Sequence, residues 1–155
     1  IKLEDRIGFL DRKLRIVNEN TDNLKDWMDA AVTAYQTSKA YEWQGDNLLL
    51  ARESLLYTFI DNYEFKFGER PDREHVKEIA FIISWNVWQM DGLKGVIPNS
   101  CHDVETRNLY GEVERTPCPG CKTKNIHKHN GIPVLLKVFS SGNTYPYHLL
   151  YNKNE

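Results

Sequence analysis

The sequence predicts an α/β fold, a sheet flanked by helices, and three observations predict it. In Ser84-Trp85-Asn86-Val87-Trp88-Gln89-Met90-Asp91-Gly92 an apolar run stops at a lone acid followed at once by glycine. In Tyr41-Glu42-Trp43-Gln44-Gly45-Asp46-Asn47 an acid near a strand end is followed by a glycine and then by a helix that Asp or Asn can open. Strands of open α/β sheets end in this way, with the acid at the carboxyl edge where ligands bind. The third observation is that helical patterns alternate with short β-rich runs, as βαβ units and a parallel sheet require. Glu42 and Asp91 are therefore candidate ligand contacts. Asp91-Gly92 also reads as a simple tight turn, since both residues tolerate turn geometry.

Taken in order, Ile7, Leu10, Leu14 and Val17 recur at helical spacing among charged residues and predict a first amphipathic helix. Thr21, Asp22 and Asn23 are good caps for a second, which carries Leu24, Trp27, Met28, Ala31 and Tyr35 on one stripe to about residue 35. The helix opened at Asp46 places Leu48, Ala51, Leu55, Phe59 and Tyr63 on one face. Gly68 to Pro71 breaks the chain and Asp72 can cap the next helix. That helix shows Val76, Ile79, Ala80 and Ile83 before a strand from Trp85 to Met90. Residues 82–87 can equally extend it.

Composition bounds the function. The 155 residues fit one domain of ordinary size, with 41% apolar and 27% charged residues, the balance of a globular protein. No run approaches a membrane span and the amino end has no signal-peptide pattern, so a cytoplasmic location is expected. The chain begins with Ile1 rather than Met, and flanking sequence is expected. A net charge of −2 supplies no global basic field for nucleic acid, although Lys122, Lys124, Lys128 and Lys137 form local patches.

Beyond Gly95 the character changes. Residues 99–115 are polar and charged. They lead to Thr116-Pro117-Cys118-Pro119-Gly120-Cys121 and His127-Lys128-His129, with Cys101-His102 upstream. Cys-x-x-Cys with Pro and Gly inside it makes a turn that aims two sulfurs at one point, as structural zinc sites require. A tetrahedral site would take Cys101, Cys118, Cys121 and one histidine. His129 is assigned here, with His102 and His127 as the alternatives that spacing leaves open. A redox dithiol and unligated thiols are the competing readings; the first normally opens a helix in a thioredoxin-like setting, which is not seen here. Four protein ligands leave no position for water, so the metal would be structural. No nucleophile, base and acid set accompanies it, and no catalytic residue is assigned.

The carboxyl end is β-like. Ile132, Val134, Leu136 and Val138 alternate with other residues, Ser140 to Asn143 form a turn, and 145–151 are rich in aromatic side chains, which predicts a hairpin. Tyr145, Tyr147 and Tyr151 are read either as base-stacking groups or as edge-strand packing.

These residues carry a resemblance. Tyr41 to Leu56, with Glu42, Asp46, Asn47 and Arg52, resembles a segment of bacterial adenine-N6 DNA methyltransferases of restriction-modification systems: an acid, three residues, Asp-Asn, and a helix with an Arg five residues on. Asn86 to Leu93 is similar to a later family segment of Asn, a short β run, and Asp followed two residues on by Leu. Phe9 to Leu14 is similar to the helix after the family's first glycine-rich loop. Residues 7–95 are covered. The resemblance implies a partial Rossmann-like methyltransferase sheet and S-adenosylmethionine as cofactor, held by Glu42 on the ribose, Asp91 on the adenine amine, and Asp46. It further implies DNA as partner, with restriction-modification subunits, and a target adenine flipped from the duplex. The glycine-rich loop is reduced to Gly8, and the family's catalytic Asn/Asp-Pro-Pro-Tyr/Phe tetrapeptide occurs nowhere. The chain alone is therefore expected to be inactive. The alternative is a non-enzymatic, zinc-stabilised module that binds DNA or protein. The expected parts are a cofactor-binding region over 1–97, a zinc-knuckle-like insert over 98–131 and a β-hairpin tail over 132–155.

Overall fold

A computed structural model describes residues 1–151, so the last four positions of the expected tail lie outside the described residues. The chain forms two compact units, one of residues 1–40 and 46–88, the other of residues 41–45 and the chain from Gln89 onward. Residues 89–97, expected with the amino-terminal part, thus belong to the same unit as the cysteines.

The first unit is helical: α1 (Phe9–Asn20), α2 (Leu24–Gln36), α3 (Gly45–Phe67, whose first residue falls in the other unit) and α4 (Arg73–Asn86). Capping sets two of the starts. Asn23 accepts from the Asp26 N–H and Asp72 from the His75 N–H, each satisfying a donor the first turn cannot. Helix α1 begins at Phe9 rather than Ile7, and Ile7 stands in solvent. The expected stripes are buried where helices meet, at Leu10, Leu14 and Val17 on α1 and at Trp27, Met28, Ala31 and Tyr35 on α2, while Leu24 at the start of α2 is exposed. On α3 only the carboxyl half is sealed, at Thr58, Phe59, Asn62 and Tyr63, while Leu49 and Leu50 are each 64% exposed.

Trp27 anchors this core. Its ring lies edge-on to Tyr63 at 5.5 Å and to Phe67 at 5.6 Å, and tilted against Phe59 at 5.8 Å. Each such ring contributes on the order of 2–3 kcal/mol by burial. The indole N–H donates to Asn18 Oδ1 at 2.7 Å, and the Asn18 amide donates in turn to the buried Asn62 at 2.8 Å, so the polar atoms of Trp27 and Asn62 are paired.

Helix α4 runs through Asn86, and the strand after it, β2 (Val87–Gln89), has three residues. The longer strand from Trp85 does not form, because Ile79, Ile82, Ile83 and Asn86 are all buried on one helical face. Asn86 is a clasp: its amide donates to the carbonyls of Tyr35 and Gln36 at the end of α2, and its carbonyl accepts from Lys39.

The remaining strands are β1 (Ala40–Glu42), β3 (Val104–Arg107), β4 (Val113–Thr116), β5 (Leu135–Lys137) and β6 (Thr144–Pro146). With β2 they fall into separate two-stranded sheets. A Rossmann-like sheet is not present among the described residues, and the expected βαβ alternation resolves into helices joined by strands too short to make one. The molecule is a mixture of helices and small sheets with a cysteine and histidine cluster. Among the described residues no helix is long and apolar enough to cross a membrane.

In the second unit β3 and β4 form an antiparallel hairpin in which Glu105 faces Arg115, joined by an ion pair of 2.7 Å. The polar stretch expected over residues 99–115 thus holds a hairpin that its composition did not predict. Its signal was the repeat Val-Glu-Thr-Arg and Val-Glu-Arg-Thr around Asn108 and Gly111, the latter at a φ of 80°. The expected carboxyl-terminal hairpin is β5 against β6, with Leu136 opposite Tyr145 and Val134 and Leu136 buried. Tyr147 packs edge-on to Tyr41 at 5.1 Å and lies against Tyr151 at 5.8 Å.

Candidate metal centre

The knuckle is built by a five-residue helix, α5 (Pro119–Thr123). Cys118 is its N-cap, Pro119 occupies the first turn, where a missing N–H costs nothing, and Lys124 ends it in the left-handed region at a φ of 53°. The Lys122 N–H donates to the Cys118 carbonyl at 2.9 Å, which folds Cys121 back over Cys118. Cys101 and His129 arrive from the flanking loops.

The four side chains Cys101, Cys118, Cys121 and His129 offer ligand atoms that all lie within 4.8 Å of one another. From His129 Nδ1 the sulfurs of Cys101, Cys118 and Cys121 stand at 3.5, 3.7 and 3.7 Å. A tetrahedral zinc with Zn–S of about 2.3 Å and Zn–N of about 2.05 Å would have N···S edges of about 3.6 Å. The donor set therefore fits that ion, with Nδ1 as the ligating nitrogen. His102 is exposed, and the His127 ring packs against His148 at 5.7 Å.

Two glycines make the approach possible. A Cβ on Gly120 would stand 2.5 Å from His129 Cγ and backbone nitrogen, and one on Gly131 would stand 2.5 Å from Ser100 Oγ and 3.2 Å from Cys101 Sγ. Asn130 ties the pieces together. Its N–H donates to Cys118 Sγ at 3.3 Å, while its side chain accepts from the His102 N–H and donates to the His102 carbonyl. Such contacts orient ligands and hold thiolate charge. Burial pushes the Cys118 thiol up, but the N–H groups of Asn130, Cys121 and Gly120, with His129, bring it down to about 6. Burial and the neighbouring Cys118 and Cys121 push Cys101 up to about 11.

The expected cofactor residues are engaged differently. Glu42 accepts from the Gln44 N–H at 3.1 Å, a local turn contact. Asp91 is buried, accepts from the Leu93 N–H at 3.1 Å and pairs with Lys94 at 3.3 Å. Its backbone carbonyl accepts from the Lys94 and Gly95 N–H groups, and its N–H donates to Val96. Residues 91–95 thus form a closed tight turn. Asp46 is exposed in the first turn of α3. The Met90 N–H donates to the Glu42 carbonyl at 2.9 Å, so the backbones bearing Glu42 and Asp91 run side by side.

Comparison with family models, with curated proteins and with solved structures returned no match to this chain.

Proposed function

We propose that the chain is a non-catalytic binding module whose second unit is stapled by one structural zinc on Cys101, Cys118, Cys121 and His129. The observation that carries this reading is the convergence of three sulfurs on one imidazole nitrogen at the N···S lengths of a tetrahedral site, with all four ligand atoms within 4.8 Å of one another. Three soft thiolates with one imidazole select zinc over harder ions, and a closed four-ligand set gives it a structural role. The purified chain is expected to hold one zinc per molecule by elemental analysis, and Cys118→Ser or His129→Ala to lose it. Zinc content that is absent, or unchanged in both variants, sinks the reading.

DNA is the partner we assign to this module. From Pro117 to Tyr151 the chain has no acidic residue and carries Lys122, Lys124, Lys128 and Lys137, although acids outnumber bases in the whole sequence. Lysines in an acid-free stretch suit a phosphate backbone and make affinity depend on salt. Fluorescence anisotropy on a short duplex tests it: alanine at Lys122, Lys124 and Lys128 together should weaken binding and flatten the salt slope by roughly 0.9 for each phosphate that is no longer neutralised. An unchanged slope would count against DNA.

A second reading, that the chain is a segment of a restriction-modification adenine-N6 methyltransferase, is favoured by one observation, the bond from the Met90 N–H to the Glu42 carbonyl, which sets the two acids on neighbouring backbones. In that reading the finer fold is part of a Rossmann-like sheet, S-adenosylmethionine binds at Glu42, Asp46 and Asp91, and restriction-modification subunits are the partners. Calorimetry with S-adenosylmethionine should show heat that Glu42→Ala abolishes. The chain by itself is expected to transfer no methyl group to adenine, because the tetrapeptide that holds the target amine is missing.

A further inference from the structure

We propose, resting on the zinc reading above, that Cys121 is a peroxide-sensitive modification site whose oxidation to a disulfide with Cys118 releases the metal. The three sulfurs are not equivalent: Cys118 is buried, Cys101 half-buried and Cys121 exposed. A cavity of about 410 Å³ reaches Cys121 and His129, and its other walls are Leu93, Gly120 and two lysines, Lys94 and Lys124. Lys94 is held in place there. Its ammonium pairs with the buried Asp91 carboxylate at 3.3 Å, within electrostatic reach of the Cys121 and Cys101 sulfurs. Partly exposed thiolates in electropositive surroundings are the reactive ones, whereas buried structural thiols are inert. Peroxide entering this cavity therefore meets Cys121 first.

Cys118 is the partner that can close the bond. Its sulfur lies within 4.8 Å of the Cys121 sulfur, and both residues belong to one turn, closed by the Lys122 N–H on the Cys118 carbonyl. Cys101 is no farther away, but it comes from a loop pinned by Ser100, whose hydroxyl donates to the Ile97 carbonyl and accepts from the Ile132 N–H. A disulfide to Cys101 has to draw that loop inward. An accessible thiolate beside a resolving cysteine is the arrangement of reversible redox sites.

The step balances with hydrogen peroxide as the oxidant. The Cys121 thiolate attacks one peroxide oxygen, the S–O bond forms, the O–O bond breaks, and the departing hydroxide takes a proton to become water. The Cys118 thiolate then attacks the sulfenyl sulfur, the S–S bond forms, the S–O bond breaks, and a second hydroxide leaves as water. Two thiolates give up two electrons and peroxide accepts them. One thiolate and one imidazole remain, too few to hold a structural zinc.

The test uses the purified full chain, kept reduced and then treated with hydrogen peroxide beside a chromophoric zinc chelator. Remaining thiols are blocked with iodoacetamide before digestion with trypsin, which separates Cys101 on peptide 95–107 from Cys118 and Cys121 on peptide 116–122. Peroxide should release the zinc, and peptide 116–122 should appear unblocked and lighter by two hydrogens while peptide 95–107 is blocked. Lys94→Gln should bind zinc as before and slow its release roughly threefold, the scale of one exposed charge pair. Dithiothreitol with added zinc should restore the centre. Zinc content before peroxide tests the metal reading by itself, and its absence there removes both readings. Zinc that stays bound at peroxide levels that oxidise free cysteine, a disulfide that includes Cys101, or release undisturbed in Lys94→Gln would overturn the switch and leave the metal reading standing.

Discussion

The two units reach stability by different routes. The helical unit buries Leu14, Trp27, Tyr35, Phe59 and Ile79 almost completely, and its aromatic rings contact one another across α2 and α3. The second unit buries Met90, Val96, Cys118, Val134 and Leu136 as its apolar set, and its β3–β4 hairpin is exposed along nearly its whole length. A core that small does not offset the conformational entropy of ordering the chain, and small units of this kind need disulfides, metal or a partner. The three cysteines form no disulfide, and on the zinc reading proposed above a metal held by the four-ligand cluster would take that role. The lesson is that the first unit is held by area and the second, on the zinc reading, by a point.

That contrast can be broken in four ways, in order of expected effect. Stripping metal with a strong chelator should unfold the second unit outright, because binding free energies of structural zinc run to about 10–16 kcal/mol. Amide exchange should then accelerate across residues 89–151 while α1 to α4 stay protected; uniform protection throughout would break the comparison. Trp27→Ala should do the converse, costing the helical unit about 3–5 kcal/mol in a denaturant melt while zinc stoichiometry stays at one. Gly120→Ala should cost about 1–3 kcal/mol through overpacking against His129, read as roughly ten- to hundredfold weaker zinc in a competition titration. Asp72→Ala removes the acceptor for the His75 N–H and should lower the stability of the helical unit by about 1 kcal/mol, with no change in zinc affinity.

How much of this was legible in the sequence divides along the same line. The helical stripes of α1 and α2 were readable, because period and burial coincide when one face of a helix meets a neighbour. The strand expected over residues 85–90 gives way to the stated alternative, a helix that runs on through Asn86. Its apolar run is the end of a helix, and the choice was made by Asn86 reaching across to α2, a contact that no local pattern encodes. The acid-glycine pair at Asp91 forms a turn with the acid paired to Lys94, the tight-turn alternative that the residue types also suggested. In the second unit, Cys-x-x-Cys was visible because spacing itself dictates the knuckle. The choice of His129 over His102 and His127 was not, since it depends on Gly120 and Gly131 clearing space and on Asn130 bridging loops distant in sequence.

The placement of indoles supplies an optical consequence. Trp27, at zero exposure inside the helical unit, should emit at short wavelength and resist iodide quenching, whereas Trp43, 47% exposed in the other unit, should emit to the red and quench readily. Trp43 is the one indole of the second unit, against Trp27, Trp85 and Trp88 in the first, so replacing Trp85 and Trp88 by phenylalanine leaves one lamp per unit, and an emission scan then follows which goes dark or shifts first.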